Sequence, residues 1–211
     1  MSNLGTTVDL PALEPLKPLD DASRRLLFAD ARTANVFSNE PVTNDELSSI
    51  WDNAKWAPTS ANFQPMRVLY VQSAEARAQL AALMNEGNRE KTRTAPAVAI
   101  LAMDTEFHEF LPTVLPFREG MKEHFAADDE ARTNAAMTNS WLQAGYFIIS
   151  VRAHGFAAGP MAGFDHPGVD AAFFGGTGWK SLLAVNIGHP GEGAFRDRLP
   201  RLDEADVVRF V

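Results

Sequence analysis

The chain has 211 residues, of which 45% are apolar and 22% charged, enough for one domain with a sizeable core. Its formal net charge of -8 argues against a nucleic-acid footprint or a polybasic membrane surface. Cysteine is absent, which excludes disulfides, thiolate metal sites and cysteine nucleophiles together and is compatible with the cytoplasm.

Residues 1–19 space Pro11, Pro15 and Pro18 among leucines, a pattern that predicts an extended arm. Met1 to Leu10 has neither a basic n-region nor an apolar h-region, so no signal peptide is expected. Asp20 or Asp21 caps a helix expected to run to about Ala31. Thr43-Asn44-Asp45-Glu46 reads as a capping box, and Leu47, Ile50, Trp51 and Ala54 follow at helical spacing. That helix ends at Lys55-Trp56-Ala57-Pro58-Thr59-Ser60-Ala61-Asn62-Phe63-Gln64-Pro65. Two prolines, two hydroxyls and the amides of Asn62 and Gln64 crowd together there. By pattern alone the stretch is a helix-to-strand turn.

Arg67 to Val71 predicts a strand and Ala74 to Met84 a helix. Asn88 to Thr94 is polar and basic, with Asn88 to Lys91 read as a turn. Pro96 to Met103 is apolar almost throughout and predicts a strand buried on both faces. Residues 104–128 mix aromatic and acidic side chains, broken by Pro112, Pro116 and Gly120, and predict short helices forming an excursion or lid. From Asp129 to His154 the pattern is one long helix closed by Gly155. Its C-terminal half is apolar nearly all round, so it must be enclosed, in part by a second subunit. Trp141 to Val151 is too short and too interrupted to span a bilayer. Phe156 to Gly159 and Trp179 to Ile187 predict strands, with a helix from His166 to Phe174 between them. Residues 188–201 form a loop carrying Arg196 and Arg198, and a short helix or strand follows Leu202. Strands alternating with helices give an α/β or α+β sandwich around one sheet, with the strand order left open.

Gly175-Gly176-Thr177-Gly178-Trp179-Lys180-Ser181 fails both nucleotide-binding readings. A P-loop needs glycine directly before the lysine, and a dinucleotide fingerprint needs the strand first and the helix second. It reads as a turn into a strand. No Gly-x-Ser-x-Gly elbow surrounds Ser60. The five histidines form no i, i+4 pair, so no metal site is expected. Asp128, Asp129 and Glu130 form the acidic first turn of a helix. The basic residues are few: Arg32, Lys91, Arg196 and Arg198 each read as a solvated charge, and together can neutralise a phosphate or an anionic ring.

Several segments, in this order, resemble the nitroreductase family: Ala31-Arg32-Thr33-Ala34-Asn35, Lys55 to Pro65, Asn88 to Lys91, Gly159 to Asp165 and Arg196-Asp197-Arg198-Leu199. The resemblance runs from about residue 24 to the end. Lys55-Trp56-x-Pro58-Thr59-Ser60-Ala61-Asn62 and the later Thr177-Gly178-Trp179-Lys180-Ser181 resemble the malonic semialdehyde reductase branch of pyrimidine degradation. The resemblance implies an α+β sandwich with a central mixed sheet flanked by helices, a long buried central helix and a domain-exchanged homodimer. Residues 20–211 would form one FMN-binding domain.

It also implies the site. Arg32, Thr33 and Asn35, with Arg196 and Arg198, match positions around the FMN phosphate. Asn88 and Lys91 match positions at the flavin pyrimidine edge. Pro160, Met161, Ala162 and Gly163 match the segment whose backbone faces flavin N5. Pro58, Thr59, Ser60, Asn62 and Gln64 would close over the flavin from the other subunit. Two positions depart from the pattern: Ala162 stands where many relatives carry an acid, and Asn35 where many carry a second arginine. The activity implied is a ping-pong hydride transfer from NAD(P)H through flavin N5 to a small acceptor, malonic semialdehyde. No side chain acts as a nucleophile, and no metal, nucleic acid or membrane takes part. A broad nitro or quinone reductase, or a flavin protein without turnover, stands as the alternative.

Overall fold

The computed structural model describes residues 16–211. Most of the arm expected over 1–19 lies outside them. The chain divides between Ala31 and Arg32 into two compact units. In the first, the Asp20 carboxylate caps helix α1 (Asp21–Arg24) by accepting the Ser23 N–H at 2.8 Å. The helix widens at once into a π-type turn over Arg25–Ala29. The regular helix is therefore shorter than expected.

The second unit is an α+β fold around a four-stranded sheet. Helix α2 (Asn44–Ala54) starts at the predicted capping box: the Thr43 hydroxyl accepts the Glu46 N–H, and the Glu46 carboxylate accepts the Thr43 N–H at 2.8 Å. Strand β1 (Met66–Val71) leads to helices α3 (Ala74–Leu83) and α4 (Glu86–Thr94), then to strand β2 (Ala97–Asp104). The 104–128 region forms short helices as expected: a 3-10 turn at Phe107–Phe110, α5 (Leu111–Val114) and α6 (Met121–Ala127). The long helix α7 (Asp129–Ala153), strand β3 (Ala157–Met161), α8 (His166–Phe173), strand β4 (Trp179–Gly188) and the short α9 (Glu204–Val207) complete it.

The strand order is β1-β2-β4-β3, and every pairing is antiparallel. The sheet is thus not the mixed one expected. The connection between β1 and β2 explains the first pair: α3 carries the chain away and α4 returns it, so β2 begins beside the end of β1, with Val98 opposite Val71.

Side chains alternate across β2, as a strand's period of two requires. Ala97, Ala99 and Leu101 face one core, with Leu47 and Ile50 of α2 and Phe147 and Val151 of α7. Val98, Ile100 and Ala102 face a second, with Leu80 of α3, Met84 just after it and Val169 of α8. Both faces are covered, as the unbroken apolar run predicts.

Helix α7 departs from expectation in an instructive way. Its buried face carries Asn139, Ser140, Gln143 and Ser150 among alanines and Phe147, while Met137, Trp141, Leu142 and Tyr146 are exposed. The described residues of the chain therefore do not enclose the apolar half. Three of these polar groups bond backbone groups of neighbouring segments. Asn139 accepts the Ser60 N–H, Gln143 accepts the Met66 N–H at 3.0 Å, and the Ser150 hydroxyl donates to the Ile50 carbonyl at 2.6 Å.

Candidate functional site

The predicted site residues fall into two groups on opposite faces of the sheet. The first gathers Arg32 to Asn35, α4, the end of β3 and the loop after β4. The Ala34 N–H donates to Ala158 O at 3.1 Å and the Asn35 N–H to Ala194 O at 2.9 Å. Arg32 donates to the Arg196 carbonyl at 2.8 Å, which ties the first arginine to the last loop. The Asn35 amide turns back toward the Thr33 carbonyl at 3.4 Å, and Thr33 and Arg198 are exposed.

Asn88 and Lys91 lie within α4, not in a turn. Their spacing of three places both on one face of that helix, one turn apart. The Asn88 amide donates to the Gly163 carbonyl at 3.0 Å, which also accepts the Asn85 N–H at 3.0 Å. A Cβ at Gly163 would lie 2.9 Å from Asn85 Nδ2 and 3.1 Å from Asn88 Nδ2. Gly159 is less forgiving, since a Cβ there would lie 2.9 Å from a backbone atom, the Ala34 carbonyl oxygen, rather than from the end of a side chain.

Burial, and secondly the neighbouring Arg196 charge, hold the Lys91 ammonium below its ordinary value. Among the described residues no ion pair involves Arg32, Lys91 or Arg196. These three cations stand together without a carboxylate partner among the described residues, so they fit a ligand with a dianionic phosphate and an electron-accepting ring. The Met161 side chain does not line the cluster, which leaves its backbone as the part that can. Its side chain is buried with Phe164 and Val169 in the second core, because residues along a strand alternate faces and Ala162 takes the exposed position.

The second group is the stretch from Pro58 to Gln64. It is more than a turn: Ala61, Asn62 and Gln64 all hold left-handed backbone, with φ of 44°, 61° and 48°. Such conformations cost about 1–3 kcal/mol each and persist only where the surroundings over-determine them. Here the tethers are specific. Asn139 Oδ1 accepts the Ser60 N–H at 2.7 Å, Asn62 donates to the Val114 carbonyl at 2.8 Å, and Gln64 donates to Asn62 Oδ1 at 2.8 Å. The Thr59 hydroxyl accepts the Gln64 N–H at 3.3 Å. Arg67, paired with the buried Asp104 at 2.7 Å, donates to the Gln64 carbonyl at 2.9 Å. Phe63 anchors the middle against Phe107 and Phe125, with ring centroids 5.4 and 5.1 Å away. Pro58, Ser60 and Asn62 stay exposed.

Phe63 belongs to the core under α7, whereas Ala34 and Met161 belong to the core under α3 and α8. The sheet therefore separates the strained segment from the cationic cluster of its own chain.

Sequence reasoning missed Asn139 and the Val114 carbonyl, which hold the strained segment, and Gln143, which holds the start of β1 just beyond it. A polar residue on the inner face of an otherwise apolar helix is the signal that could have found Asn139 and Gln143. Among the described residues, no group of three or more histidines and carboxylates could hold a metal ion, and no helix is long and apolar enough to cross a membrane.

A family model described as the nitroreductase family matches residues 29–189. A Streptomyces coelicolor protein, provisionally named an NADH dehydrogenase/NAD(P)H nitroreductase, is 52% identical over 188 residues, covering 89% of this chain and 93% of its own. A Streptomyces griseus subsp. griseus protein with the same provisional name is 49% identical over 193 residues, covering 92% and 98%. Among solved structures, a provisionally named nitroreductase from Exiguobacterium sibiricum in complex with FMN matches with a TM-score of 0.75 at 20% identity. That match covers 92% of this chain and 99% of the other.

Proposed function

The chain belongs to the nitroreductase family, and from that premise we propose that it is an FMN-dependent NAD(P)H oxidoreductase whose two sites are each shared between the subunits of a homodimer. The observation that carries this reading is the separation of two residue groups on opposite faces of the sheet: Arg32, Lys91 and Arg196, which form no ion pair among the described residues, and a strained, tethered segment with exposed polar groups. A second copy of the chain can bring the second group to the first. The exposed Met137, Trp141, Leu142 and Tyr146 of α7 support the dimer, as do the exposed Val207, Val208 and Phe210 of the tail.

When bound, FMN supplies the two-electron exchange between NAD(P)H and the acceptor in a ping-pong cycle. The protein supplies position and charge. Arg32, with Arg196 and Arg198, neutralises the phosphate, and Thr33 and Asn35 border it. Asn88 and Lys91 hold the pyrimidine edge, where the Lys91 ammonium stabilises negative charge. Gly163 keeps the approach free of a side chain, and the backbone of Pro160 to Gly163 faces the redox-active centre. Pro58, Thr59, Ser60, Asn62 and Gln64 of the partner copy exclude water from the other side.

The acceptor we assign is malonic semialdehyde. Each turnover takes one NAD(P)H and one proton, and yields NAD(P)+ and 3-hydroxypropionate. The Lys55 to Asn62 motif supports this, since it forms the cap that would meet the acceptor. The second motif, Thr177 to Ser181, adds less. Its Trp179 packs on Phe174 at 5.6 Å and the Ser181 N–H donates to Asp170 at 2.8 Å, which are structural roles. A broad nitro or quinone reductase is the second reading, favoured by the names of the relatives. We place the protein in the cytoplasm, where NAD(P)H is regenerated.

The test is direct. The purified protein should bind FMN, and anaerobic NADH or NADPH should bleach it. Malonic semialdehyde should then restore the colour faster than a nitroarene or a quinone. A protein that stays colourless with FMN overturns the flavin reading, and bleaching with no reoxidation by the semialdehyde favours the second reading.

A further inference from the structure

Asn186 is a fully buried amide in the otherwise apolar run Leu182 to Ile187 of β4. An amide there costs stability unless it is used. Its nitrogen donates to the Lys91 carbonyl at 3.0 Å and lies 4.0 Å from the Met161 sulfur, while its oxygen accepts no hydrogen bond from the described residues. The Lys91 carbonyl already accepts the Ala95 N–H at 3.2 Å, so Asn186 is a second donor to a group that the helix satisfies by itself. Asn186 pairs with Gly159 across β3, where a Cβ would lie 3.3 Å from that of Asn186 and 2.9 Å from the Ala34 carbonyl. One side chain thus sits where the Ala34 segment, the end of β3 and the last turn of α4 meet.

We propose that Asn186 is a positioning residue for Lys91: it ties the last turn of α4 to the sheet and so fixes where the Lys91 ammonium stands relative to Arg196 and the Gly159–Gly163 segment. The inference that this position tunes a bound flavin rests on the functional reading above. The tie itself does not. A purely structural amide would have been replaceable by leucine at no cost to Lys91, because the helix bond from Ala95 would remain.

The test uses the full-length Asn186→Leu variant, with Asn186→Ala as the smaller alternative should leucine fail to fold, each checked for a cooperative melt. The first readout needs no flavin. In the cofactor-free protein, the Lys91 ammonium is titrated by NMR after reductive 13C-methylation, its signal assigned with Lys91→Met. The wild-type value should lie below that of an ordinary lysine, and either variant should move it back up as the side chain is freed toward water. The second readout is the ratio of affinities for oxidised and reduced FMN, taken from the midpoint potential. Loss of the tie should favour the oxidised form by about tenfold, the scale on which an outer partner tunes the charged group it orients. The double variant with Lys91→Met should shift no further than Lys91→Met alone. An unchanged Lys91 titration in a folded variant overturns the proposal, and so does a potential shift that adds fully to that of Lys91→Met. Failure of the wild type to bind FMN would sink the flavin reading, and the Lys91 titration would still decide the role of Asn186.

Discussion

Replacing Asn139 with alanine removes the tether that α7 offers to the strained segment. In the parent protein its amide oxygen accepts the Ser60 N–H at 2.7 Å and its nitrogen donates to Ala135 O at 2.8 Å. A lost hydrogen bond costs about 0.5–1.5 kcal/mol, and a buried donor left without a partner about 1–3 kcal/mol. The Ser60 N–H is only part-buried, so water recovers some of that cost, and about 1–2 kcal/mol is the expected global loss. For a chain of this length that lowers Tm by about 2–8 °C. The local effect should be larger relative to the rest of the fold. Three left-handed residues at about 1–3 kcal/mol each hold their shape only while the tethers outweigh them. Each 1.4 kcal/mol taken from the tethers shifts the loop about tenfold toward relaxed conformations. Hydrogen exchange at residues 60–64 should therefore quicken about tenfold, while the amides of β2 change only with global stability. FMN affinity should fall by a similar factor. Ala61→Gly provides the contrast. It relieves the backbone without cutting a tether, and the gain is offset by the entropy of glycine in the unfolded chain, so stability should stay within about 1 kcal/mol of the parent. An Asn139→Ala protein with ordinary exchange at 60–64 and unchanged FMN affinity would refute the reasoning.

Gly163→Ala places a methyl group among the amide ends of Asn85 and Asn88, which can shift; a melt should change by only a few degrees while calorimetry finds FMN binding weakened about tenfold. Lys91→Met should raise the melting temperature of the cofactor-free protein at neutral pH yet weaken FMN binding. The sign follows from linkage: a lysine depressed in the folded state penalises folding below its folded value, and the penalty fades as pH rises from there toward the ordinary lysine range near about 10.4. The difference in melting temperature between the two proteins should accordingly shrink as pH approaches that range. Thr43→Ala breaks the capping box of α2, costing about 1 kcal/mol in a denaturant melt, and should leave FMN affinity untouched.

Where local chemistry decides, the fold was legible. The Thr43–Glu46 box fixed the start of α2, and the unbroken apolar run of β2 implied cover on both faces. The direction of strand pairing was not legible, because it follows from the two-helix return between β1 and β2. Residues 88–91 read as a turn rather than as part of a helix because Gly87 and Asn88 are weak helix formers and no apolar stripe runs through the stretch. The helix is held from outside by packing on α3 and the buried Thr92. The cap was visible as a crowd of polar residues, but its strain was not, since Ala61 and Gln64 give no hint of left-handed backbone. Asn139 and Asn186 stayed hidden inside apolar elements, where their meaning depends on which backbone groups the fold leaves near them.

The central claim is that each flavin site joins the cationic cluster of one protomer to the strained segment of its partner. Co-expression of a Lys91→Met chain with an Asn62→Ala chain, each tagged differently so that mixed dimers are isolated, tests it by counting bound FMN. In a shared site one half-pair collects both defects and the other none, so mixed dimers should bind one FMN per two chains with the parent affinity while each pure variant binds weakly. If both halves of a site came from the same chain, every site in the mixed dimer would carry one defect, and no tight FMN binding would return.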